Sequence, residues 1–318
     1  MLTRDLHEIP KVRDKLSYLY VEHCRVDREA KAIAVHDQTG LTPVPCASLT
    51  LLMLGPGTNI THAAIQTLAD CGCLVIWCGE HAVRFYASGT GTTRSASNLL
   101  RQATLCTHKR TRLLVIRRMY EMRFGEFLDP GLTLQQIRGR EGVRVRDTYA
   151  RASLESGVPW QGRTYKRDDW HKADPINRAL SVANACLYGL CHAAIVAAGF
   201  SPALGFIHTG KQLSFVYDVA DLYKTDITIP TAFRVVAEEP RNLDRQVRLQ
   251  LRDAFAQHDL LRRVVAEIQY VLDIPPPEAE TDQDFDADPA LPGGLWNPNG
   301  SVAEGGVQYG NETEEDEP

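Results

Sequence analysis

The spacing of hydrophobic residues changes once along this 318-residue chain, near residue 93, and that change limits the folds open to it. Before it, short runs rich in β-branched and aromatic residues are separated by Gly, Pro or polar residues, which is typical of strands. After it, apolar residues recur every three or four positions, the period of an amphipathic helix. The sequence therefore predicts an α+β fold, with a β-rich domain at residues 1–92 and an all-α domain at residues 93–274.

These runs also predict individual elements. Strands are expected in LSYLYVEHCRV, KAIAVHD, LTLLML, CLVIWC and VRFYAS. Between them, HAAIQTLADCG is predicted to be a helix that Thr61 or Asn59 caps and a glycine ends, and Gly55-Pro56-Gly57 a turn. In the second half, helices are predicted at residues 95–126 (one long helix with a basic face), 134–156, 176–200, 215–223 and 244–272.

Charge is distributed unevenly along the chain. The formal net charge is −5, yet residues 278–318 contain twelve Asp or Glu and no Lys or Arg. Residues 1–277 therefore hold 35 basic and 28 acidic side chains, a net charge of +7. A basic body is compatible with a polyanionic partner such as DNA, although many unrelated enzymes are equally basic.

Residues 275–318 are Pro-rich, acidic and poor in hydrophobic residues, which predicts a flexible tail that is disordered unless a partner orders it. Two interpretations of its scattered apolar residues stay open. They could dock on a partner, for example as an added strand, or the whole segment could serve only to solubilise the protein. The apolar residues are Leu291, Leu295, Trp296, Val302 and Tyr309.

Neither disulfides nor a membrane segment are expected. The eight cysteines include no CxxC pair, and a chain of this length can bury a core without crosslinks, so reduced, mostly buried thiols are predicted. A zinc site at Cys71, Cys73 and Cys78 is a weaker alternative, because this spacing is not that of zinc sites. No run approaches the roughly 20 uninterrupted apolar residues of a bilayer span. The charged N-terminus is also unlike a signal peptide, which predicts a cytoplasmic protein.

Three side chains in the segment 205–226 could bind a cation. Asp218 and Asp221 share a face if their segment is helical, and neighbouring carboxylates are unfavourable unless a cation or a proton neutralises them. A hard divalent ion does so while keeping waters for a phosphate, and His208 could add a nitrogen ligand. The alternatives are a solvated helix face and a histidine that is only hydrogen-bonded.

Glu141 lies among arginines in RGREGVRVRDTYA (138–150). Those arginines suit phosphates, but an ordinary salt bridge between Glu141 and one of them explains the pattern as well. Nearby aromatic residues could stack on unpaired bases or simply pack in the core. They are Tyr165, Trp170, Tyr188 and Tyr217. Pattern alone thus indicates a phosphate-handling metal site as one possibility among others.

Three motifs, in this order, resemble those of a known family. Glu141 has an R-G-x-E-G context, His208 lies in GFIHTGK, and Asp218 and Asp221 lie in SFVYDVADLYK. Together with LGPGTNITHAAI, GEHAVRFYASG, MRFGE and INRALSVANACLYG, the likeness extends over residues 10–272. The chain resembles the CRISPR-associated adaptation integrase, the universal endonuclease of spacer acquisition, in its type I-E branch.

This resemblance implies a site and a cofactor. By position in the motifs, Glu141, His208 and Asp221 are the catalytic, metal-binding residues, with Mg²⁺ or Mn²⁺ as the cofactor, and Asp218 is a supporting acidic residue. His23 stands where the branch carries a tyrosine that caps the end of the DNA duplex. The other residues implied to bind DNA are Arg84, Arg138, Arg146, Tyr165, Trp170, Tyr188, Lys211, Tyr217 and Arg248.

The resemblance also implies a fold, partners and a reaction. The fold is an N-terminal β-sandwich-like domain followed by an all-α catalytic domain, and two homodimers bridge through a small ferredoxin-like partner subunit. The complex captures a prespacer duplex with single-stranded ends, and its 3′-hydroxyl attacks a phosphodiester of the CRISPR repeat. Two alternatives stay open: a non-catalytic DNA-binding scaffold subunit, and a metal hydrolase of a small phosphoester with a deep pocket.

Overall fold

The structure is a computed structural model that describes residues 18–30, 32–46, 49, 51–80, 85–89, 96–163 and 174–273, together with the backbone of 295–296 and 302–303. Residues 1–277 form one compact unit and residues 278–318 a second. In the first unit, strands precede residue 90 and helices follow it. The predicted α+β fold is therefore confirmed, whereas the boundaries at residues 92 and 274 stay predictions.

Two four-stranded sheets make up the β-rich part. The strands are β1 (Tyr18–Val21), β2 (Arg25–Glu29), β3 (Ala32–Asp37), β4 (Gly40–Val44), β5 (Leu51–Leu54), β6 (Asn59–Ile60), β7 (Leu74–Cys78) and β8 (Phe85–Ser88). The first sheet has the order β1-β5-β7-β8, with β7 and β8 antiparallel and the other pairs parallel. The second has the order β4-β3-β2-β6, in which only β2 and β6 are parallel.

Each predicted strand segment contains a strand, but β4 and β6 were not predicted. Both are edge strands of the second sheet. β4 contains Pro43 and has mostly exposed residues, which an edge tolerates because one row of its backbone groups is unpaired. β6 has only two residues, too few for a hydrophobic pattern to appear.

The central strands of the first sheet, β5 and β7, bury side chains on both faces. Side chains alternate along a strand, so Leu51 and Leu74 join the core of the helical part while Leu52 and Val75 join a second core. The second core also takes Val26 from β2 and residues of β3 and of the helix α1 (His62–Asp70). The two sheets enclose this core, which is the predicted β-sandwich-like arrangement.

The predicted cap and turn beside α1 are both present. The Thr61 hydroxyl accepts a hydrogen bond from the backbone N–H of Ala64 at 3.3 Å, so Thr61 and not Asn59 caps the helix. In the Gly55-Pro56-Gly57 turn, Gly57 has φ +71°, a left-handed conformation that favours glycine. The turn lies against His23, whose backbone N–H donates a hydrogen bond to the backbone oxygen of Pro56 at 2.9 Å.

Helices make up the rest of the described first unit. They are α2 (Ser97–Thr107), α3 (Lys109–Phe124), α4 (Leu134–Ser156), α5 (Pro175–Ala197), α6 (Ser214–Ala220), α7 (Ile229–Ala237), α8 (Leu243–Gln257) and α9 (Leu260–Val271), with a π-helical turn at Lys224–Thr228. The predicted helices at 134–156, 176–200 and 215–223 correspond to α4, α5 and α6. α5 packs against α6, α7, α8 and α9 and is the centre of this part.

Two predicted long helices are each two helices, and α7 was not predicted. The 95–126 segment breaks at His108, whose backbone is extended (φ −86°, ψ 118°) and whose Nδ1 lies 2.9 Å from the backbone oxygen of Thr104. The 244–272 segment breaks at Asp259, which has φ +43°. Local side-chain hydrogen bonds and single left-handed residues interrupt helices without disturbing the apolar period, so the pattern missed both breaks.

α5 is the helix, among those described, that is long and apolar enough to cross a membrane. Most of its apolar window is buried inside the protein, including Ala179, Leu180, Ala183 and Leu187. Its composition is therefore accounted for by its place at the centre of the helical core.

All eight cysteines are free thiols, and six of them are buried, as predicted. Burial raises the pKa of Cys46 to about 11 and those of Cys73 and Cys78 to about 12, which keeps these thiols protonated. In the second unit, β9 (Leu295–Trp296) pairs antiparallel with β10 (Val302–Ala303). The rest of the predicted disordered tail lies outside the described residues.

Candidate active site

Asp218 anchors the loop that carries His208. Its side chain lies on α6 and is completely buried. Oδ2 accepts hydrogen bonds from the backbone N–H groups of Phe206 (2.6 Å) and Ile207 (3.0 Å), and Oδ1 accepts from that of His208 (2.8 Å). Oδ1 also lies 2.7 Å from Nδ1 of the His208 ring. A buried carboxylate needs such donors to offset its lost hydration, so Asp218 and the loop stabilise each other.

This contact orients the His208 ring. A carboxylate oxygen only accepts, so Nδ1 donates and, in the neutral ring, Nε2 keeps the free lone pair. The hydrogen bond to Asp218 raises the pKa of His208; partial burial opposes the shift, and the charges of Asp218 and Asp221 reinforce it. The side chain is 44% exposed. Metal-binding histidines are commonly oriented in this way by a second carboxylate.

Gly205 allows the tight path of the loop. A Cβ at this position would lie 2.4 Å from the backbone oxygen of His208 and 2.7 Å from Cβ of Ser214, closer than packed atoms approach. Gly210 has φ +79°, again a conformation that favours glycine. The glycines of GFIHTGK therefore shape the backbone that presents His208.

Glu141 projects from α4 and is 14% exposed. Arg144, one turn along the helix, donates from Nε to Oε2 at 2.9 Å and from Nη2 to Oε1 at 3.2 Å. The salt bridge expected as an alternative role for Glu141 is thus present. Arg144 also donates to the Thr225 hydroxyl at 3.0 Å, which connects α4 to the π-helical turn, a feature often found at functional sites.

Asp221 is the residue at which α6 ends. Its Oδ1 lies 2.6 Å from Nζ of Lys224. Burial opposes the charge of Lys224, but Asp221 and Tyr188 outweigh it and hold the lysine pKa above its ordinary value. A carboxylate at a helix C-terminus faces the negative end of the helix dipole, so a neighbouring cation offsets an unfavourable position.

A third cation contacts both carboxylates. Arg123 projects from α3, with Nη1 3.6 Å from Oε1 of Glu141 and Nη2 3.5 Å from Oδ2 of Asp221. Nη2 also donates to the backbone oxygen of Asp218 at 3.3 Å. The structure therefore gathers Glu141 and Asp221 around one guanidinium, with His208 attached through Asp218.

The three predicted metal ligands lie in one region without forming a coordination shell. Among the described residues, no group of three or more His, Cys, Asp or Glu side chains is arranged to hold a metal ion. The donor types nevertheless fit a hard divalent cation, because Mg²⁺ and Mn²⁺ accept carboxylate oxygens and Mn²⁺ also accepts imidazole. A positively charged group already lies between Glu141 and Asp221, so this place suits a cation.

Two of the predicted base-stacking aromatics lie beside His208. The Tyr217 ring is 5.8 Å from the His208 ring and 5.0 Å from the Tyr188 ring, in both cases edge to face. Nζ of Lys224 lies 4.9 Å from the centre of the Tyr188 ring. Both tyrosines are half-buried. Arg84, Tyr165 and Trp170 lie outside the described residues.

The remaining predicted DNA-binding residues fall into two groups. Arg138, Arg146 and Lys211 are exposed and have no ion pair with any residue in the described ranges, and His23 is exposed with φ +50°. Arg248 is different, because its Nη2 lies 2.7 Å from Oε2 of Glu80 and its side chain is only 22% exposed. It connects α8 to Glu80, which lies two residues after the end of β7.

Arg123 and Lys224 were not predicted from the sequence. Arg123 lies three and four residues after Tyr120 and Met119, on the buried face of α3. A charged residue on an apolar helical face was the available signal, since a buried charge requires a partner. Lys224 follows Asp221 by three residues, a spacing that brings side chains together on a helical surface.

Comparisons with known proteins agree with this fold. A family model described as CRISPR associated protein Cas1 matches residues 128–269. "CRISPR-associated endonuclease Cas1 2" of Thermus thermophilus is 55% identical over 312 residues, which are 97% of this chain and 94% of the relative. "CRISPR-associated endonuclease Cas1" of Escherichia coli K12 is 43% identical over 281 residues, which are 87% of this chain and 92% of the relative.

A solved structure agrees as well. The crystal structure of a TtCas1–DNA complex has a TM-score of 0.75 and 56% identity, covering 83% of this chain and 98% of that chain. The fold thus belongs to a class of CRISPR-associated proteins. With 55% identity over nearly its whole length, the chain belongs to the Cas1 family.

Proposed function

We propose that the protein is a divalent-metal-dependent DNA endonuclease and integrase of CRISPR adaptation, which inserts captured foreign DNA as new spacers. The main support is the meeting of Glu141 and Asp221 around one cation, with His208 oriented beside them. The relatives named above are CRISPR-associated endonucleases, and TtCas1 has been solved with DNA. Membership of the type I-E branch is part of the proposal.

The proposed reaction is transesterification at the CRISPR repeat. The 3′-hydroxyl of a captured fragment attacks a phosphodiester in line with the leaving 3′-oxygen; with water as the nucleophile, the same site hydrolyses DNA. A divalent ion, Mg²⁺ or Mn²⁺, supplies stabilisation of the charge on the phosphate and on the leaving oxygen when it is bound. Glu141, Asp221 and Nε2 of His208 would hold it.

The chain's own residues prepare this chemistry. Asp218 fixes the loop and directs the His208 ring, and this hydrogen bond is already present in the structure. Arg144 and Lys224 now neutralise Glu141 and Asp221. If a divalent ion were held by these carboxylates, Arg144 and Lys224 would be free to bind a DNA phosphate, which pairs well with guanidinium and ammonium groups.

Exposed cations and aromatics supply the proposed contacts with DNA. Arg138, Arg146 and Lys211 would bind phosphates of the prespacer, and Tyr188 and Tyr217 would stack on bases of its single-stranded end. The wider proposal includes a homodimer, a small ferredoxin-like partner subunit and a cytoplasmic location. Binding to DNA should weaken steeply with salt, since each neutralised phosphate releases counterions.

The test is strand transfer by the full-length chain, with its partner subunit, into a supercoiled plasmid that carries the array. Asp221→Ala should abolish insertion of a labelled duplex and leave duplex affinity broadly intact. The control is Asp253→Ala, an exposed carboxylate on α8 that pairs only with its neighbour Arg252 among described residues, and it should insert normally. Undiminished insertion by Asp221→Ala would reject the proposed site.

A non-catalytic DNA-binding scaffold is the second candidate. One observation favours it, namely that Glu141 and Asp221 are already paired with cations of the protein. It predicts that EDTA leaves DNA binding unchanged and that no strand transfer occurs in Mg²⁺ or Mn²⁺. The small-phosphoester hydrolase has less support. A cavity of about 1040 Å³ lies between the ends of α4 and α7 and the starts of α5 and α8, but none of the three proposed ligands lines it.

A further inference from the structure

Arg123 is an unusual residue for the place it occupies. It lies on the buried face of α3, and its side chain is 3% exposed. Its guanidinium lies 5.0 Å from the centre of the Tyr120 ring, a cation–π contact. Its Nε is buried and has no hydrogen-bond partner among the residues that the structure describes. Burying an arginine is unfavourable unless acidic groups compensate its charge, so the groups around its two terminal nitrogens decide its role.

Those nitrogens contact groups from two different helices. Nη1 faces Glu141 of α4 at 3.6 Å, and Nη2 faces Asp221 at the end of α6 at 3.5 Å. Both separations exceed the range of good hydrogen bonds, about 2.7–3.2 Å. The guanidinium is therefore shared between two carboxylates instead of being bound closely to either.

Each carboxylate also has a closer cation of its own. Arg144 binds Glu141 at 2.9 Å and Lys224 binds Asp221 at 2.6 Å. Both of these side chains are about one quarter exposed, 23% and 25%, whereas that of Arg123 is 3% exposed. Arg144 and Lys224 thus have room to turn towards solvent, and Arg123 is enclosed by protein and stays with the two carboxylates.

We propose that Arg123 is a positioning residue that acts as an internal counter-ion of the site. In the absence of a divalent ion it keeps Glu141 and Asp221 on either side of one positive charge, so that two carboxylates from different helices do not repel each other. A bound divalent ion then takes over part of this compensation. The inference rests on the proposed function, since it assigns Arg123 a role towards the metal held by these carboxylates.

The inference is tested with Mn²⁺ alone as the probe and without DNA. Melting temperatures are measured in EDTA and in saturating Mn²⁺ for the wild type and for Arg123→Met, and Mn²⁺ affinity is measured from the electron paramagnetic resonance signal of the free ion. In EDTA, Arg123→Met should have a lower melting temperature than the wild type. On addition of Mn²⁺, its melting temperature should rise by more than that of the wild type. Its Mn²⁺ affinity should be about tenfold tighter, because a competing positive charge next to the carboxylates has been removed.

Two further variants make the comparison specific. Arg118→Met removes another α3 arginine, whose partner Asp273 is well exposed, and it should show the same gain from Mn²⁺ as the wild type. Arg123→Lys keeps the charge but places it on one nitrogen, whereas arginine has two terminal nitrogens that face different carboxylates. Its gain in melting temperature should therefore lie between those of the wild type and Arg123→Met. If Arg123→Met does not fold, Arg123→Lys is compared with the wild type directly.

The outcomes separate this inference from the proposed function. A larger gain and tighter binding in the Arg123 variants support it. If the wild type binds Mn²⁺ but the Arg123 variants show equal or smaller rises in melting temperature, the inference is overturned and the proposed metal site stands. Equal rises would make Arg123 an ordinary packing residue, and smaller rises would make it a requirement for metal binding. A wild type that binds no Mn²⁺ would overturn both.

Discussion

Asp218 holds His208 at two points, accepting hydrogen bonds from its backbone N–H at 2.8 Å and from its ring Nδ1 at 2.7 Å. The main chain and the ring of the histidine are therefore fixed by the same buried oxygen. Asp218 was expected to be a supporting acidic residue, and its contacts show what it supports. It orients a neighbouring side chain, and both of its carboxylate oxygens accept hydrogen bonds from the loop that carries His208. Its backbone oxygen accepts from Arg123, the cation that lies between Glu141 and Asp221.

Asp218→Asn should weaken both the fold and the activity. The amide would turn an NH₂ group towards two of the four donors that the carboxylate now accepts, and each unsatisfied buried donor costs about 1–3 kcal/mol. We expect the free energy of unfolding to fall by about 2–5 kcal/mol and strand transfer to fall about 10- to 100-fold. Chemical denaturation and the plasmid insertion assay measure the two effects.

Asp37→Asn is the matched control for that variant. Asp37 is exposed, and its Oδ1 accepts from the backbone and the hydroxyl of Thr39, contacts that an asparagine oxygen can keep. Stability should change by less than about 0.5 kcal/mol. Equal losses in the two variants would contradict the special role of Asp218.

Gly205→Ala should disrupt the loop. The new Cβ would lie 2.4 Å from the backbone oxygen of His208, and a backbone atom cannot move aside as a flexible side chain does. We expect a loss of about 1–3 kcal/mol of stability and a large loss of strand transfer. The control is Gly139→Ala, at an exposed position of α4 where an added Cβ meets nothing within 4 Å. This substitution should stabilise the helix by about 0.5–1 kcal/mol. A harmless Gly205→Ala would show that the loop adapts freely.

His192 should make the protein sensitive to acid. It stacks on Phe85 with ring centres 3.7 Å apart, and burial lowers its pKa from 6.5 to about 4. The folded protein therefore prefers the neutral ring, so this stabilisation is complete above pH 6.5 and is lost as the pH falls towards 4. After allowing for partial solvent screening, the loss should be about 1–2 kcal/mol.

The measurement is the free energy of unfolding at several values between pH 7.5 and 4. His192→Phe keeps a ring for the stack but cannot be protonated. The free energy of unfolding of His192→Phe minus that of the wild type should therefore rise as the pH falls. A constant difference over the whole range would mean that His192 does not contribute to the acid sensitivity.

The predicted DNA-binding arginines should separate by the salt dependence of DNA affinity. Arg138 and Arg146 are exposed and have no ion pair among the described residues, so replacing either by Ala should reduce the slope of log affinity against log salt by about one. Arg248→Ala should reduce it less, because Arg248 is already bound to Glu80. Equal reductions for all three would mean that Arg248 leaves Glu80 when DNA binds.

The fold was predictable where burial produced a pattern. β5 and β7 were predicted from continuous apolar runs, which arise because these strands bury side chains on both faces of the sheet. α4 and α5 were predicted from helical spacing of their apolar residues. The breaks at His108 and Asp259 were not predictable, because they arise from backbone conformation at single residues while the apolar period continues. The edge strands β4 and β6 were missed for the opposite reason, since β4 is mostly exposed and β6 has only two residues, so neither carries an apolar pattern.

The site was predictable only as a set of residues. Three motifs pointed to Glu141, His208 and Asp221, but spacing in sequence could not show that Arg123, from a separate helix, lies between two of them. Nor could it show that Arg248 is bound to Glu80. Such contacts depend on how helices pack, and local sequence contains little information about that.

The first sheet has a practical consequence for handling this protein. Leu51, Met53, Leu74 and Ile76 form one wall of the core that surrounds α5, so a fragment that begins near residue 93 would leave that core open on one side. An exposed apolar surface of this kind promotes association. Failure of such a helical fragment to cut or join DNA would then reflect aggregation of the fragment and not loss of a catalytic residue. Single substitutions in the intact chain are therefore the better test of the site.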